Sequence, residues 1–392
     1  MGGGFAGIQT ALQLSKKRYS KDIQVTLVSN RVNFEYQPSL HTFLSVSGVA
    51  RYAQIHLEEI FHKTNVQLII DTVTDCDLDQ KKVILQSGNE LHADYIVLAT
   101  GSEPAYFGIP GLAESAFSFQ SVYDANRLRK HLLQIFGLPE SRDQQGGFPT
   151  ESSIVVVGAG PNGVDLAGEL AEFVKILAQK KGLENSGITI SLVEGASTIL
   201  PMMSVKAQEK AVERLEKLGV EILCGKQLVR QTELGIEFSD SSLETKTVIW
   251  TAGATGNSLV AKIPGVQLQK KNRITLDEYL QISGHKNIFA IGDIGDTQYA
   301  GLAQTAIHNG SYVAKKIIAD VQGKQIDMYK PSPVAYNIGV GHGWSIMQIG
   351  NMVISGKIAS WARSVINMKY FFSILPFRKV LQLFFSTKKP LV

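Results

Sequence analysis

Short apolar segments alternate with longer amphipathic segments through most of the chain. "DIQVTLVSN" follows the helix-like "GIQTALQLSKK", and "ADYIVLATGSEP" is an apolar run that ends at a glycine turn. The same order returns in "SIVVVGAGPNGVDLAGELAE", "GITISLVEG" and "HKNIFAIGDIGD". Apolar strands that alternate with amphipathic helices predict an α/β fold with parallel sheets. The repetition indicates two Rossmann-like dinucleotide-binding domains.

The second of these units carries a complete nucleotide-binding motif. Gly158, Gly160 and Gly163 follow the apolar run 154–157 and open a helix. The first glycine of such a motif permits a tight turn, the second lets a pyrophosphate approach, and the third lets the helix pack closely on the strand. Glu194 ends the next strand, where a carboxylate binds an adenosine ribose diol and repels a 2′-phosphate. The motif therefore favours NADH over NADPH.

The first unit has the same glycine spacing at the start of the chain. Gly2, Gly4 and Gly7 are followed by a helical pattern, but only Met1 precedes them. The first strand of this unit is missing from the pattern, and we expect the native chain to begin several residues earlier. A strandless domain is the alternative.

Other polar residues of the pattern follow the ends of predicted strands. Ser29 or Asn30 occupies the place where a ribose-binding acid is expected in the first unit. Asp293 follows a glycine at the end of an apolar strand, so its carboxylate is expected at the carboxyl edge of the sheet. Open α/β sheets bind their ligands at this edge.

Composition and charge exclude several classes of protein. The formal net charge of +4 among 392 residues gives no reason to expect a nucleic-acid partner. Cys76 and Cys224 are the two cysteines, too distant in sequence for a CxxC redox pair and too few for a zinc site. We expect both to be buried structural thiols in a reducing compartment. No apolar run reaches the length of a membrane-spanning helix.

The C-terminal region differs from the rest because no acidic residue follows Asp327. The segment "SWARSVINMKYFFSILPFRKVLQLFF" predicts two interfacial helices broken near Pro376, with a dimer interface or a core-covering helix as the alternative. The apolar residues expected in the acyl region are Trp361, Val365, Ile366, Met368, Phe371, Phe372, Leu375 and Phe377. The cations expected to face anionic headgroups are Arg363, Lys369, Arg378 and Lys379.

The motifs together resemble those of one family of flavoproteins. "GGGFAG", "EYQPSL", "ADYIVLATGSEP", "AGPNGVDLAGELAE", "VIWTAGA", "NIFAIGDIGD" and "LAQTA" occur in the order seen in type II NADH:quinone oxidoreductases. These are single-subunit NADH dehydrogenases that do not pump protons, and the resemblance covers essentially the whole chain. It implies FAD in the first domain and NADH in the second. It also implies hydride transfer from NADH to FAD and two-electron reduction of a membrane quinone.

The resemblance assigns roles to individual residues. Residues implied to bind FAD are Gly2, Gly4, Gly7, Ser29, Gln37, Pro38, Thr100, Gly101, Gly292 and Asp293. Residues implied to bind NADH are Gly158, Gly160, Gly163 and Glu194. Ala303 and Gln304 match the "AQ" of the quinone-side helix, which begins beside the flavin. Residues implied in catalysis are Asp165, Gln304 and His308.

The sequence departs from the family pattern at three places. The family usually has an acid at the position of Ser29, and a glutamate where this chain has Asp165 near the nicotinamide. Its paired glutamines are His308 and Asn309 here. His308 is expected either to hydrogen-bond or protonate a quinone, or to be a plain polar residue of the helix.

The resemblance also predicts the domain organisation and the cellular location. The predicted regions are 1–115 (FAD, first part), 116–270 (NADH), 271–330 (FAD, second part) and 331–392 (membrane-anchoring). We expect a peripheral enzyme on the cytoplasmic face of the cell membrane, with a homodimer as one alternative for its oligomeric state. No metal site is expected.

Two other functions fit parts of the pattern. One is a soluble FAD-dependent NADH reductase of the ferredoxin-reductase or apoptosis-inducing-factor-like type, which would use another acceptor. The other is a non-catalytic, nucleotide-binding redox sensor, for which Ser29 and the missing strand are the motivation. The lack of a cysteine pair argues against disulfide reductases and sulfide:quinone reductases, which need sulfur nucleophiles.

Overall fold

A computed structural model describes residues 1–17, 19, 21–44, 53–137, 153–183 and 187–385. The end of the predicted C-terminal region, 386–392, lies outside these residues. The chain divides into two compact units. Unit 1 comprises Met1–Glu35, Gln54–Glu103 and Ala254–Val334. Unit 2 comprises Tyr36–Ala53, Pro104–Gly253 and Ala335–Val392. The predicted division by cofactor stays a prediction.

The helices and strands are as follows. The α-helices are α1 (Phe5–Leu14), α2 (Leu57–Phe61), α3 (Leu112–Ser115), α4 (Val122–Ile135), α5 (Pro161–Lys180), α6 (Val205–Lys217), α7 (Ala303–Val321), α8 (Lys357–Ile374) and α9 (Phe377–Phe385). The strands up to Phe238 are β1 (Val25–Ser29), β2 (Asn33–Glu35), β3 (Gln54–His56), β4 (Val66–Ile70), β5 (Val73–Asp77), β6 (Lys82–Leu85), β7 (Glu90–His92), β8 (Ile96–Leu98), β9 (Ser102–Pro104), β10 (Phe117–Ser118), β11 (Ser153–Val157), β12 (Thr189–Glu194), β13 (Val220–Cys224), β14 (Leu228–Gln231) and β15 (Gly235–Phe238). The remaining strands are β16 (Ser242–Glu244), β17 (Thr247–Trp250), β18 (Ala254–Gly256), β19 (Leu268–Gln269), β20 (Arg273–Ile274), β21 (Gln281–Ile282), β22 (His285–Ala290), β23 (Ala335–Gly339), β24 (Ser345–Ile349) and β25 (Met352–Gly356).

In unit 1 two parallel strand pairs meet at the start of the chain. β1 pairs with β4, and β8 pairs with β22. The Met1 amino group donates to the Val97 carbonyl at 2.7 Å, and the Ala99 N–H donates to the Met1 carbonyl at 2.9 Å. The Gly2 N–H donates to the Val28 carbonyl at 2.8 Å. Met1 and Gly2 thus bridge β1 and β8 and place the first glycine turn at the carboxyl ends of both strands.

In unit 2 the central sheet has five strands in the order β10-β17-β11-β12-β13. Every pairing within it is parallel. All residues of β11 and β17 are buried, as expected for parallel strands covered on both faces. The α/β prediction is confirmed. Each unit also carries an antiparallel three-stranded sheet, β5-β6-β7 in unit 1 and β14-β15-β16 in unit 2, so the repetition extends beyond the glycine motifs.

The C-terminal part of unit 2 is the antiparallel sheet β23-β24-β25 followed by α8 and α9. The two helices are separated at Leu375 and Pro376, as expected because proline does not continue a helix. Phe371 and Leu375 are buried, so the prediction that they face lipid is wrong. The helical period of α8 directs Phe371 inward with Ala359 and Asn367. Among the described ranges, no helix has both the length and the apolar character that crossing a bilayer requires.

Candidate functional site

The two glycine turns have the same internal geometry, one in each unit. Gly2 and Gly158 have φ values of +107° and +106°, which side-chain-bearing residues rarely adopt. A Cβ on Gly2 would collide with the backbone of Ala99, the residue directly after β8. A Cβ on Gly158 would collide with Ala252, which follows β17. In each unit the first glycine therefore lets the turn pass against the end of a neighbouring strand.

The third glycine of each turn seats the helix. A Cβ on Gly7 would collide with the Gly2 carbonyl, and one on Gly163 would collide with the Gly158 carbonyl. The equivalent collisions indicate that α1 and α5 pack against their turns in the same way. These positions serve the fold of the turn.

The second glycine of each turn faces open space. Nothing lies within 4 Å of a Cβ built on Gly4 or on Gly160. Each residue is the N-cap of its helix, and no side chain caps α1 or α5. The free backbone N–H groups of the first turn (Pro161 has none) and the positive end of the helix dipole are thus available to an anion. Both turns fit the pyrophosphate of a dinucleotide.

The residues at the ends of β12 and β1 differ in what they offer a ribose. The Glu194 carboxylate accepts the Ala159 N–H at 2.7 Å and the Ala196 N–H at 3.0 Å, so it is fixed beside the glycine turn. In unit 1 the Ser29 hydroxyl donates to the Arg31 carbonyl at 2.8 Å and accepts the Arg31 N–H at 3.2 Å. Ser29 is buried within its own turn, whereas Glu194 has further lone pairs for a diol.

The substitution Glu194→Gln is expected to weaken the preference for NADH over NADPH. Loss of the charge removes repulsion of a 2′-phosphate and weakens the ribose hydrogen bonds by about 1.5 kcal/mol or more, roughly tenfold in affinity. Steady-state kcat/KM for both nucleotides measures the change. Glu221→Gln on β13, whose carboxylate accepts a hydrogen bond from Ser191, is the control. An unchanged nucleotide preference in the Glu194 variant would contradict the assignment.

The ends of β8 and β22 provide polar groups that suit a flavin. The Thr100 hydroxyl is buried and has no hydrogen-bond partner among the described residues. A buried hydroxyl without a partner is costly, so its partner is expected to be a ligand. Gly101 has φ of +74° and open space at its Cβ position. The Ser102 hydroxyl donates to the Asp293 carboxylate at 2.7 Å and fixes it at this edge of unit 1.

The N-terminus of α7 carries the residues implied on the quinone side. Ala303 and Gln304 form its first turn, and Gln304 is exposed. The His308 Nε2 contacts the Lys330 carbonyl at 2.9 Å, which requires the tautomer protonated on Nε2. Asn309 is fully buried. The catalytic role of His308 stays a prediction.

Asp165 of α5 lies in a buried ion pair that the sequence did not reveal. Arg363 of α8 donates to both carboxylate oxygens, at 2.6 Å and 3.2 Å, and to the Pro38 carbonyl at 2.9 Å. The Asp165 residue is 8% exposed. A Cβ on Gly339 would collide with both members of the pair, so β23 leaves room for it. The prediction that Arg363 faces lipid headgroups is therefore wrong.

Two further titratable groups surround this pair. Burial lowers the pKa of His41 to about 4, against the raising effect of Asp165. His41 is thus neutral at pH 7, and its 3.4 Å contact with Asp165 is not an ion pair. Burial, with Asp165 and Glu172 nearby, raises the pKa of Glu169 to about 8, so Glu169 is protonated at neutral pH. The Asp165–Arg363 ion pair therefore lies beside two groups, His41 and Glu169, that are uncharged at neutral pH.

Each unit contains some of the site residues that were predicted from the sequence. Unit 1 contains Gly2, Gly4, Gly7, Ser29, Thr100, Gly101, Gly292, Asp293, Ala303, Gln304 and His308. Unit 2 contains Gln37, Pro38, Gly158, Gly160, Gly163, Asp165 and Glu194. Gln37 is exposed and donates to the Gln120 carbonyl at 3.1 Å. Ser102 and the neighbours of Asp165 could not be identified from the sequence, because a single serine, histidine or arginine carries no spacing signal.

The two thiols are unsuited to nucleophilic chemistry. Burial raises the pKa of Cys76 to about 11 and also raises that of Cys224. Cys76 is buried, as predicted, whereas Cys224 is half-buried. Both are protonated at neutral pH, and a thiol reacts as its thiolate.

Comparisons with known proteins agree with this geometry. A family model described as pyridine nucleotide-disulphide oxidoreductase matches residues 1–310. The type II NADH:quinone oxidoreductase of Staphylococcus saprophyticus is 30% identical over 389 residues, covering 95% of this chain and 94% of that protein. The protein of the same name from Staphylococcus aureus (strain MSSA476) has the same identity and coverage. The solved structure of NDH2 from Plasmodium falciparum in complex with NADH has a TM-score of 0.83 at 19% identity, covering 98% of this chain and 95% of that chain.

Proposed function

The chain belongs to the type II NADH:quinone oxidoreductases, and from this membership we propose that it passes electrons from NADH through FAD to a quinone at a membrane surface. The observation that carries the proposal is the pair of glycine turns with equivalent geometry, one in each unit. Bound FAD supplies hydride acceptance and electron transfer, which no side chain provides. The side chains supply binding, orientation and charge.

Unit 1 is the proposed FAD-binding unit. The turn at Gly4 holds the pyrophosphate at the N-terminus of α1, and Thr100 gives its buried hydroxyl to the flavin. Ser102 orients Asp293 toward the ribityl–phosphate region. Ser29 is already bonded within its turn, so the ribose contact on this side is weaker than a carboxylate would give.

Unit 2 is the proposed NADH-binding unit. The turn at Gly160 holds the pyrophosphate, and Glu194 accepts the hydroxyls of the adenosine ribose. Asp165 is the carboxylate proposed to lie on the nicotinamide side. Arg363 fixes the orientation of the Asp165 carboxylate through two hydrogen bonds.

The membrane contact is proposed on the outer face of α8. Ile358 is 70% exposed and Trp361 is 69% exposed, and Val365 and Phe372 continue the same stripe. The residues repeat at helical spacing, while the opposite face holds Arg363 against the rest of unit 2. An exposed apolar stripe on a helix flanked by cations is typical of an interfacial helix.

The same proposal places the enzyme on the cytoplasmic face of the cell membrane, where NADH is supplied. Exposed Lys357, Lys369 and Arg378 provide cations along α8 and α9. Each contributes about 1 kcal/mol near an anionic lipid surface. A homodimer stays a prediction.

Vesicle flotation tests the membrane contact. The double variant Ile358→Ser/Trp361→Ser is expected to lose binding to vesicles that contain anionic lipid. Each large apolar side chain contributes about 1.5 kcal/mol or more on burial, so the pair is worth at least a hundredfold in partitioning. Leu234→Ser removes a side chain that is 78% exposed in the turn between β14 and β15 of unit 2, and this variant should float like the unmodified chain. Equal flotation of all three proteins would contradict the assignment to α8.

A further inference from the structure

Asn309 forms a hydrogen-bond chain of fixed polarity inside unit 1. Its side-chain oxygen accepts the Gly292 N–H at 3.3 Å, and its amide nitrogen donates to the Tyr329 hydroxyl at 2.9 Å. The backbone N–H of Gly292 can only donate, so it fixes which end of the Asn309 amide is the oxygen. The Tyr329 oxygen is therefore an acceptor in this chain. Its hydroxyl hydrogen is directed away from Asn309.

Tyr329 lines a small cavity next to Gln304. The volume of this cavity is about 30 Å³, which is room for one water molecule. The residues around it are Gln298, Gln304, Thr305, Tyr329, Ser332, Pro333 and Val334. The lining contains amide and hydroxyl groups but no charged side chain. A water in this cavity would find amide and hydroxyl side chains among the lining residues.

The ring of Tyr329 is held from several sides. The backbone N–H of Tyr329 donates to the Glu278 carbonyl at 2.8 Å. The rings of His308 and Tyr312 each lie with their centroids 5.3 Å from that of Tyr329. The Tyr312 hydroxyl itself donates to the Asp327 carbonyl at 2.9 Å. Burial raises the pKa of Tyr329, although the Asn309 hydrogen bond lowers it, so the hydroxyl is protonated at neutral pH.

We propose that Tyr329 is a positioning residue for quinone reduction, whose hydroxyl donates through the cavity water to the quinone oxygen that Gln304 faces. This inference rests on the proposed function and on the family resemblance, which implies that Gln304 lies on the quinone side. A quinone oxygen gains negative charge as electrons arrive, and a preoriented donor stabilises that charge. Where the family has paired glutamines on this helix, the chain has His308 and Asn309. Asn309 orients Tyr329, and the Tyr329 hydroxyl supplies the hydrogen-bond donor on the quinone side.

Tyr329→Phe removes the hydroxyl and keeps the ring. We expect kcat with a soluble quinone to fall about tenfold or more, with KM for NADH unchanged. NADH oxidation with ferricyanide, a one-electron acceptor without a carbonyl oxygen, should stay at the unmodified rate. Tyr312→Phe is the matched control, because its hydroxyl contacts a backbone carbonyl and does not line the cavity. It should retain the quinone-to-ferricyanide ratio.

The outcomes separate the inference from the proposed function. An unmodified, flavin-loaded chain that reduces ferricyanide but no quinone would overturn the proposed function. A Tyr329→Phe variant with the same quinone-to-ferricyanide ratio as the unmodified chain would overturn only the role of Tyr329. If this variant loses flavin, Ser332→Ala takes its place, since Ser332 lines the same cavity and is exposed. A reduced ratio in Ser332→Ala supports the inference, and an unchanged ratio overturns it.

Discussion

Gly160→Val is expected to abolish NADH oxidation while the protein keeps its fold and its flavin. Gly160 has φ of −73° and ψ of −174°, a conformation that any residue adopts, and nothing lies within 4 Å of its Cβ position. The valine side chain therefore meets no protein atom there, and it enters the space proposed for the pyrophosphate of NADH. Fluorescence titration with NADH should show at least a hundredfold weaker binding, about 3 kcal/mol.

Gly4→Val is the matched variant in the other unit. Gly4 has φ of −94° and the same open space, so valine is again compatible with the fold. Here the absorbance bands of bound flavin should disappear, while NADH binding by unit 2 remains. Each variant serves as the control for the other. Loss of both cofactors in either variant would show that the two turns do not bind separate dinucleotides.

Gly158→Val distinguishes blocking from misfolding. Gly158 has φ of +106°, and a side chain there would collide with Ala252. The chain is expected to unfold at a lower temperature or to be insoluble. If Gly160→Val keeps its fold and loses only NADH binding while Gly158→Val unfolds more easily, the open position at Gly160 serves the ligand and not the fold.

Arg363→Leu is expected to cost about 3–5 kcal/mol of unfolding free energy. Removing one partner of a buried ion pair leaves the other charge without compensation in a poorly solvated site. Here that charge is the Asp165 carboxylate, which is 8% exposed and lies near Glu169 and Glu172. Chemical denaturation measures the change. Lys175→Leu replaces an exposed cation on α5, the helix that carries Asp165, and should alter stability by less than about 1 kcal/mol.

The double variant Asp165→Leu/Arg363→Leu separates stability from activity. Replacing both members of a buried pair by apolar residues is often neutral for stability, so most of the lost free energy should return. Activity with NADH should not return, because the carboxylate proposed near the nicotinamide is absent. Full activity in the double variant would limit Asp165 and Arg363 to a structural role.

The glycine turns and the α/β fold could be predicted because their signals are local. A turn that needs positive φ at Gly158 and close approach at Gly163 leaves a fixed spacing in the sequence. The confirmed family membership follows from such motifs in order. The predicted roles of the individual site residues stay predictions, now with a geometry against which each can be tested.

The environment of Asp165 could not be predicted because it depends on packing between distant segments. Arg363 is 198 residues away in sequence and lies in the C-terminal region, where no acidic residue follows Asp327. Composition alone made Arg363, Lys369, Arg378 and Lys379 candidates for contact with lipid headgroups. The helical period gives α8 an outer apolar stripe and an inner face, and Arg363 and Phe371 are on the inner face. The two faces can be told apart only when it is known which side of α8 packs against the rest of unit 2.

The central claim is most directly tested by quinone-dependent NADH oxidation with protein of known flavin content. Flavin-loaded protein on vesicles is mixed with NADH and either a menaquinone or a ubiquinone analogue, and NADH and quinol are quantified together. We expect one quinol to form per NADH consumed, with turnover proportional to bound FAD. Turnover with ferricyanide but with neither quinone would contradict it.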